Sequence, residues 1–176
     1  SESLGYKPMY HVLNSAGIER FTQYQFDMVR LGIGVYGVSA VPGTSLYPVA
    51  SFKCRILQIK TLKHEDGTIG YGRHGKIAEE GTVIATIPVG YADGLDRHLS
   101  CGKGKFMLNG HKVPTIGNIC MDMTMLDITG IDAKVGDTVT IFGEDPTVTE
   151  LADALGTIPY EILTSVPRRI QRIIVK

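Results

Sequence analysis

Three short segments carry groups that could do chemistry. Pro88-Val89-Gly90-Tyr91-Ala92-Asp93-Gly94 follows an apolar run, Val83–Ile87, and holds a phenol between glycines. Ile69-Gly70-Tyr71-Gly72-Arg73 repeats that arrangement, and Gly117-Asn118-Ile119-Cys120-Met121-Asp122 leads from a glycine into a buried-looking strand. Glycine permits close backbone approach and positive φ, so each segment can present a side chain on a loop at a strand end. That is how a binding or catalytic rim is built, with a phenol able to hydrogen-bond a ligand or exchange a proton. One such segment alone reads as an ordinary turn. Three in order on a β-rich scaffold read as one site.

The elements that must position these groups follow from composition and pattern. The 176 residues are 43% hydrophobic with 21 glycines and 8 prolines, enough to bury a core between many turns. With 18 basic and 18 acidic residues the formal charge is zero, so there is no electrostatic footprint for nucleic acid or an anionic membrane. No run approaches the roughly 18–20 apolar residues of a membrane span, and no secretory signal is present. Cys54, Cys101 and Cys120 are far apart and lack CxxC spacing, which argues against a disulfide framework and a structural zinc site. A reducing cytoplasm is expected, and no metal.

The first forty or so residues differ from the rest. Met9–Leu13 reads as a strand, Asn14–Gly17 as a polar turn, and Phe26–Gly37 as a second apolar strand punctuated by glycine, the repeat pattern of an α/β protein. One such unit cannot bury both faces alone, so it reads as the tail of a larger domain, with a linker at Val41–Ser45. Beyond it the pattern is mainly β. Phe52, Cys54 and Ile56 share one phase, then Leu57, Ile59 and Thr61 take the opposite one, as in a strand serving two sheet faces of a barrel. Asn109-Gly110 between Lys105–Leu108 and His111–Val113 predicts a type I′ hairpin. Strands are also expected over Met121–Ile128, Asp137–Phe142 and Ile170–Val175. The last would absorb the basic cluster Arg168–Arg172 as one solvated face. Thr147 and Glu150 form a capping box for a helix with Leu151, Ala154 and Leu155 on its apolar face, closed by Gly156. Pro159 starts a second helix with Ile162, Leu163 and Val166 inward, stopped by Pro167. The expected fold is a small β-barrel-like domain with two short helices, preceded by the terminal strands of an incomplete α/β (TIM-type) barrel.

The order of motifs resembles the alanine racemase family, whose members pair a (β/α)₈ barrel binding pyridoxal phosphate with a C-terminal β-domain. The resemblance runs from His11 to Arg168. It rests on His11–Ser15, Met28–Gly37, Gly70-Tyr71-Gly72, Pro88–Gly94, Gly117–Asp122 and Pro159-Tyr160-Glu161. It implies that residues 1–42 are the end of the cofactor-binding barrel and residues 43–176 the C-terminal β-domain. It implies that Ser15, with the amides near Gly32 and Ile33, holds the cofactor phosphate, consistent with an anion nest at a barrel's C-terminal face. Arg30 resembles the arginine that contacts the pyridine nitrogen, and His11 the histidine that buttresses it. Arginine is always charged and only donates, so it would leave that nitrogen unprotonated and the electron sink weakened. Tyr160 resembles the tyrosine that hydrogen-bonds the phosphate and crowds the substrate.

Tyr71 resembles the tyrosine that takes or gives the Cα proton on one face of the bound substrate. A phenol, with a reference pKa of about 10, needs a cationic network to act as a base at neutral pH. Tyr91 resembles the tyrosine at the mouth of the substrate channel. Met121 lies in the segment that offers a backbone amide to the substrate carboxylate. In the family these three reach the partner subunit's cofactor, so a head-to-tail homodimer with shared active sites is implied, as is a role in supplying D-alanine for peptidoglycan. Cys120 reads as packing. The family's cofactor-bonding lysine, its second base, matches no lysine here, and its substrate-carboxylate arginine is missing too. The chain alone is therefore expected to be an inactive fragment that does not retain pyridoxal phosphate. The alternatives are a serine or broad-specificity racemase and, in another class, a non-catalytic β-barrel module that binds a partner.

Overall fold

The computed structural model describes residues 3 and 5–175, and the chain divides into two compact units, Ser1–Ala50 and Ser51–Lys176. In the first, helix α1 (Ser15–Arg20) is capped by Asn14, whose side chain accepts the Gly17 N–H at 3.0 Å. Glu19 on that helix accepts from the Ser39 hydroxyl at 2.5 Å and the Ala40 N–H at 3.2 Å, fixing the chain after Gly37. The strands expected over Met9–Leu13 and Phe26–Gly37 are not formed among the described residues. Both stretches are extended in part, but one backbone bond joins them, Arg30 N–H to the Leu13 carbonyl at 2.8 Å. A strand needs a ladder of such bonds. Ile33–Tyr36 instead winds into a 3₁₀ turn that closes at Gly37 in the left-handed region.

The second unit is mainly β. Its strands are β1 (Phe52–Arg55), β2 (Gln58–Leu62), β3 (Thr68–Ile69), β4 (Gly75–Lys76), β5 (Thr82–Ile87), β6 (Lys105–Leu108), β7 (His111–Pro114), β8 (Thr124–Asp127) and β9 (Thr138–Phe142). One sheet runs β1-β9-β6-β7, a second runs β2-β5-β8, and β3 pairs with β4. The phase flip after Ile56 is where the chain changes sheets. The Ile56 N–H bonds the Asp137 carbonyl on one side, and the Leu57 N–H bonds the Thr86 carbonyl on the other. At the opposite edge Thr115 bridges Leu126, joining the end of β7 to β8. These two junctions close the sheets into a barrel-like ring, which leaves few free edges. The Asn109-Gly110 turn has φ of 48° and 81°, as a type I′ hairpin requires, with Leu108 opposite His111.

Inside the ring Ile56, Phe106, Leu108, Val113, Leu126, Val139 and Ile141 are buried, and Phe52 meets Phe142 edge to face at 5.9 Å. Along β8 the inward residues are Thr124 and Leu126, and the strand starts at Thr124. Met121 and Met123, expected within it, are exposed on the preceding bend. Helix α2 (Val148–Leu155) has the expected capping box and ends at Gly156 with φ 69°. It buries Leu151 and Ala152, while Ala154, expected on that face, is exposed. Helix α3 (Pro159–Ser165) buries Ile162. No strand forms over Ile170–Val175: Ile173, Ile174 and Val175 are exposed and find no ladder partner among the described residues. The basic cluster before them is tied down differently. The Arg172 guanidinium donates to the carbonyls of Val166, Pro167 and Ile170, and Arg169 forms ion pairs described below. Among the described residues no helix is long and apolar enough to cross a membrane, and no three His, Cys, Asp or Glu side chains gather as a metal site.

Candidate active site

Tyr71 sits at the tip of the β3–β4 hairpin, which pairs Thr68 with Lys76 and Ile69 with Gly75. The hairpin's base is anchored by Ile69 and Ile77, buried with Ile84 and packed by Leu62, Ile116 and Met125. The tip turns sharply, with Gly70, Gly72 and Arg73 all at positive φ. The Tyr71 ring is therefore carried out of the interior and is 76% exposed. The segment Gly117–Asp122 lies alongside. A Cβ on Gly117 would stand 2.8 Å from the Ile69 carbonyl oxygen, so only glycine admits this approach. Asn118, 7% exposed, then donates its side-chain N–H to the Tyr71 carbonyl at 2.8 Å.

The same segment holds the Tyr91 loop. The Tyr91 N–H bonds the Cys120 carbonyl and the Ala92 N–H the Met121 carbonyl, both at 3.0 Å. Gly90 makes this possible, since a Cβ there would fall 2.5 Å from the Met121 carbonyl carbon. The buried Asp93 carboxylate accepts the Gly90 N–H at 3.0 Å and pairs with Arg169 at 2.6 Å. Arg169 also pairs with Asp122 at 2.7 Å. The Asp122 carboxylate first, and Asp93 second, hold the Arg169 guanidinium above even its ordinary high range. One cation thus laces the Tyr91 loop, the residue after Met121 and the segment after α3. Tyr91 and Met121 are 45% and 54% exposed. The Tyr71, Tyr91 and Met121 segments therefore form one rim, stitched through Gly117–Asp122.

Tyr160 is the second residue of α3 and half-exposed. The far end of that helix docks on the Tyr91 loop, where the Ser165 hydroxyl donates to the Gly94 carbonyl at 3.0 Å. A cleft of about 330 Å³ opens beside Tyr91, lined also by Arg97, His98, Glu161 and Ser165, but not by Tyr71 or Met121. In the first unit the buried Ser15 hydroxyl accepts the N–H groups of Gly32 at 2.9 Å and Gly34 at 3.3 Å, with Ile33 buried between them. With both of those amides bonded to its oxygen, the Ser15 O–H and the Ile33 N–H, for which no acceptor is found among the described residues, remain as donors that suit an anion. Arg30 donates to the Val12 carbonyl at 3.2 Å. His11 is exposed on the neighbouring stretch, and no hydrogen bond joins it to Arg30 among the described residues.

Two features escaped the motif reading. Asn118 was visible only as a member of its motif, because its partner lies 47 residues away. Arg169 was absorbed into an expected strand, because Asp93 is 76 residues distant.

The fold has clear relatives. The family model "Alanine racemase, C-terminal domain" matches residues 49–174, and "Alanine racemase, N-terminal domain" matches residues 2–40. Alanine racemase 2 of Bacillus subtilis (strain 168) is 38% identical over 180 residues, covering 96% of this chain and 45% of that protein. The crystal structure of alanine racemase from D-cycloserine producing Streptomyces lavendulae has a TM-score of 0.89 at 35% identity, covering 99% of this chain and 48% of that one. That of alanine racemase from Bartonella henselae with covalently bound pyridoxal phosphate has a TM-score of 0.87 at 35% identity, covering 97% and 48%. The chain spans about half the length of the curated relatives it matches. With one family model matching well over half of its residues, this chain belongs to the alanine racemase family.

Proposed function

We propose that this chain is the C-terminal part of a cytoplasmic, pyridoxal-phosphate-dependent alanine racemase that interconverts L- and D-alanine. Residues 1–42 would end the cofactor-binding barrel and residues 43–176 would be the β-domain. The observation that carries the reading is the rim itself: exposed phenols at Tyr71 and Tyr91, each loop bonded to the one segment that carries Met121, in a family defined by racemases. An exposed catalytic side chain on a rigid hairpin is suited to a site completed by a second subunit. A head-to-tail homodimer, in which Tyr71, Tyr91 and Met121 face the partner's cofactor, accounts for that exposure.

Ser15, Gly32 and Ile33 would hold the cofactor phosphate, a reading supported by the Ser15 O–H and Ile33 N–H left without partners among the described residues of the first unit. Arg30 would donate to the pyridine nitrogen, with His11 beside it. When bound, pyridoxal phosphate supplies the electron sink that makes a substrate Cα proton removable. Met121 would fix the substrate carboxylate through its backbone N–H, and Tyr91 would narrow access to favour a small side chain. Tyr71 would move the Cα proton at its phenolic oxygen on one face. The lysine serving the opposite face would come from outside these 176 residues.

The test is a chiral assay on the full-length protein supplied with pyridoxal phosphate. The reading expects D-alanine to form from L-alanine, with kcat/KM for alanine well above that for serine. Equal values would assign a broader racemase, and no racemisation of any small amino acid would refute the reading.

A further inference from the structure

We propose that Asn118 is the positioning residue of this site, its side-chain amide holding the Tyr71 backbone, and through it the phenol, where proton transfer requires it. This rests on the racemase reading of Tyr71 and adds a residue to which neither the motif match nor the family names assign a role.

The Tyr71 ring is 76% exposed, and its hydroxyl has no hydrogen-bond partner among the described residues. Its position is inherited from the backbone beneath it. That backbone is a glycine-flanked tip, and the Asn118 bond to the Tyr71 carbonyl is the one side-chain hydrogen bond onto the backbone of residues 70–74 among the described residues. The amide orientation is dictated by its neighbours. A carbonyl only accepts, so the nitrogen of Asn118 and not its oxygen must face Tyr71. The same nitrogen lies 3.2 Å from His74 Nδ1, which then accepts, leaving the imidazole proton on Nε2. The oxygen faces the Cys101 thiol, 3.9 Å away. Asn118 is in turn rigidly placed: the Gly117 carbonyl accepts the Cys101 N–H, and the Ile119 N–H donates to the Ser100 hydroxyl, both at 2.9 Å. A buried, pinned amide thus sets the tip that carries an otherwise unsupported ring. Displacement of a reacting group by about 1 Å costs on the order of 100-fold in rate.

Asn118→Asp keeps the volume but turns the donor into an acceptor facing a carbonyl. In the full-length protein at about pH 8.5, where an aspartate is ionised, the substitution is expected to lower kcat about 10- to 100-fold and to leave KM within about threefold. In a Tyr71→Phe background it should change kcat by less than about twofold, because the group it positions is gone. In the cofactor-free full-length protein, amide hydrogen exchange over residues 70–74 should quicken about tenfold while β5 keeps its protection. Asn118→Ala, which deletes the donor without adding charge, should act in the same direction and serves if the carboxylate prevents folding. An equal loss in both backgrounds, or unchanged exchange at residues 70–74, overturns the inference. A Tyr71→Phe protein as active as its parent overturns the reading of Tyr71 and this inference with it. Loss in Tyr71→Phe beside an unaffected Asn118→Asp protein overturns the inference alone.

Discussion

Gly90→Ala is the smallest change that should separate two parts of the rim. The new Cβ would lie 2.5 Å from the Met121 carbonyl carbon, and closer still to the carbonyl oxygens of Cys120 and Met121. Carbon atoms pack at roughly 3.5 Å, so the Tyr91 loop must move about 1 Å from its neighbour. The Tyr91 and Ala92 N–H bonds to Cys120 and Met121, now 3.0 Å each, would lengthen beyond bonding distance. Overpacking costs about 1–3 kcal/mol, and each lost bond about 1 kcal/mol more. For the site, a displacement of that size implies on the order of a 100-fold fall in kcat/KM. The assay is steady-state kinetics on the full-length protein together with urea unfolding. Gly110→Ala is the control: its Cβ meets open space at φ 81°, so only local strain of about 1–2 kcal/mol is expected, with activity intact. A Gly90→Ala protein within twofold of its parent in kcat/KM would refute the claim that close approach of these segments builds the rim.

Two further outcomes concern the scaffold. The Lys112 ammonium first, and the Thr147 N–H second, hold the Glu150 carboxyl below its usual range, so its stabilisation is complete above about pH 4.3 and lost as pH falls through the folded value. Glu150 and then Asp145 raise Lys112, whose stabilisation is present below about pH 10.4 and lost as pH climbs through its folded value. Lys112→Met should therefore flatten both the acid and alkaline limbs of the urea midpoint against pH, by a small amount because the pair is solvent-screened; an unchanged profile would contradict this. Burial pushes the Cys54 thiol up to about 12 while Cys101 is exposed, so a thiol-alkylating reagent at about pH 8 should label Cys101 and spare Cys54 in the native protein. Equal labelling would count against the packing of β1.

What could be read from the sequence was local. Asn109-Gly110 specifies its turn by backbone chemistry alone, and Thr147 with Glu150 caps a helix within one turn. The phase flip at Ile56 was legible because a strand's faces alternate strictly, so a change of sheet leaves a mark in the pattern. Glycines beside Tyr71 and Tyr91 marked the loops that present them. What stayed hidden depends on partners distant in the chain. The apolar run Ile173–Val175 has strand composition, yet a strand exists only where a neighbour supplies its ladder. The stretches around Leu13 and Arg30 fail likewise, with a single backbone bond between them. Ala152 rather than Ala154 faces inward because the packing of α2, not its composition, selects the buried face. The roles of Asn118 and Arg169 are set wholly by which residues folding brings opposite them.

The central claim is that the Tyr71 phenol serves one face of the substrate. Deuterium wash-in at Cα of alanine, followed separately from the L and D enantiomers in full-length Tyr71→Phe protein with bound cofactor, addresses it most directly. A fall of about 100-fold or more from one enantiomer, with exchange from the other retained, is the predicted result. Undiminished exchange from both enantiomers would contradict it.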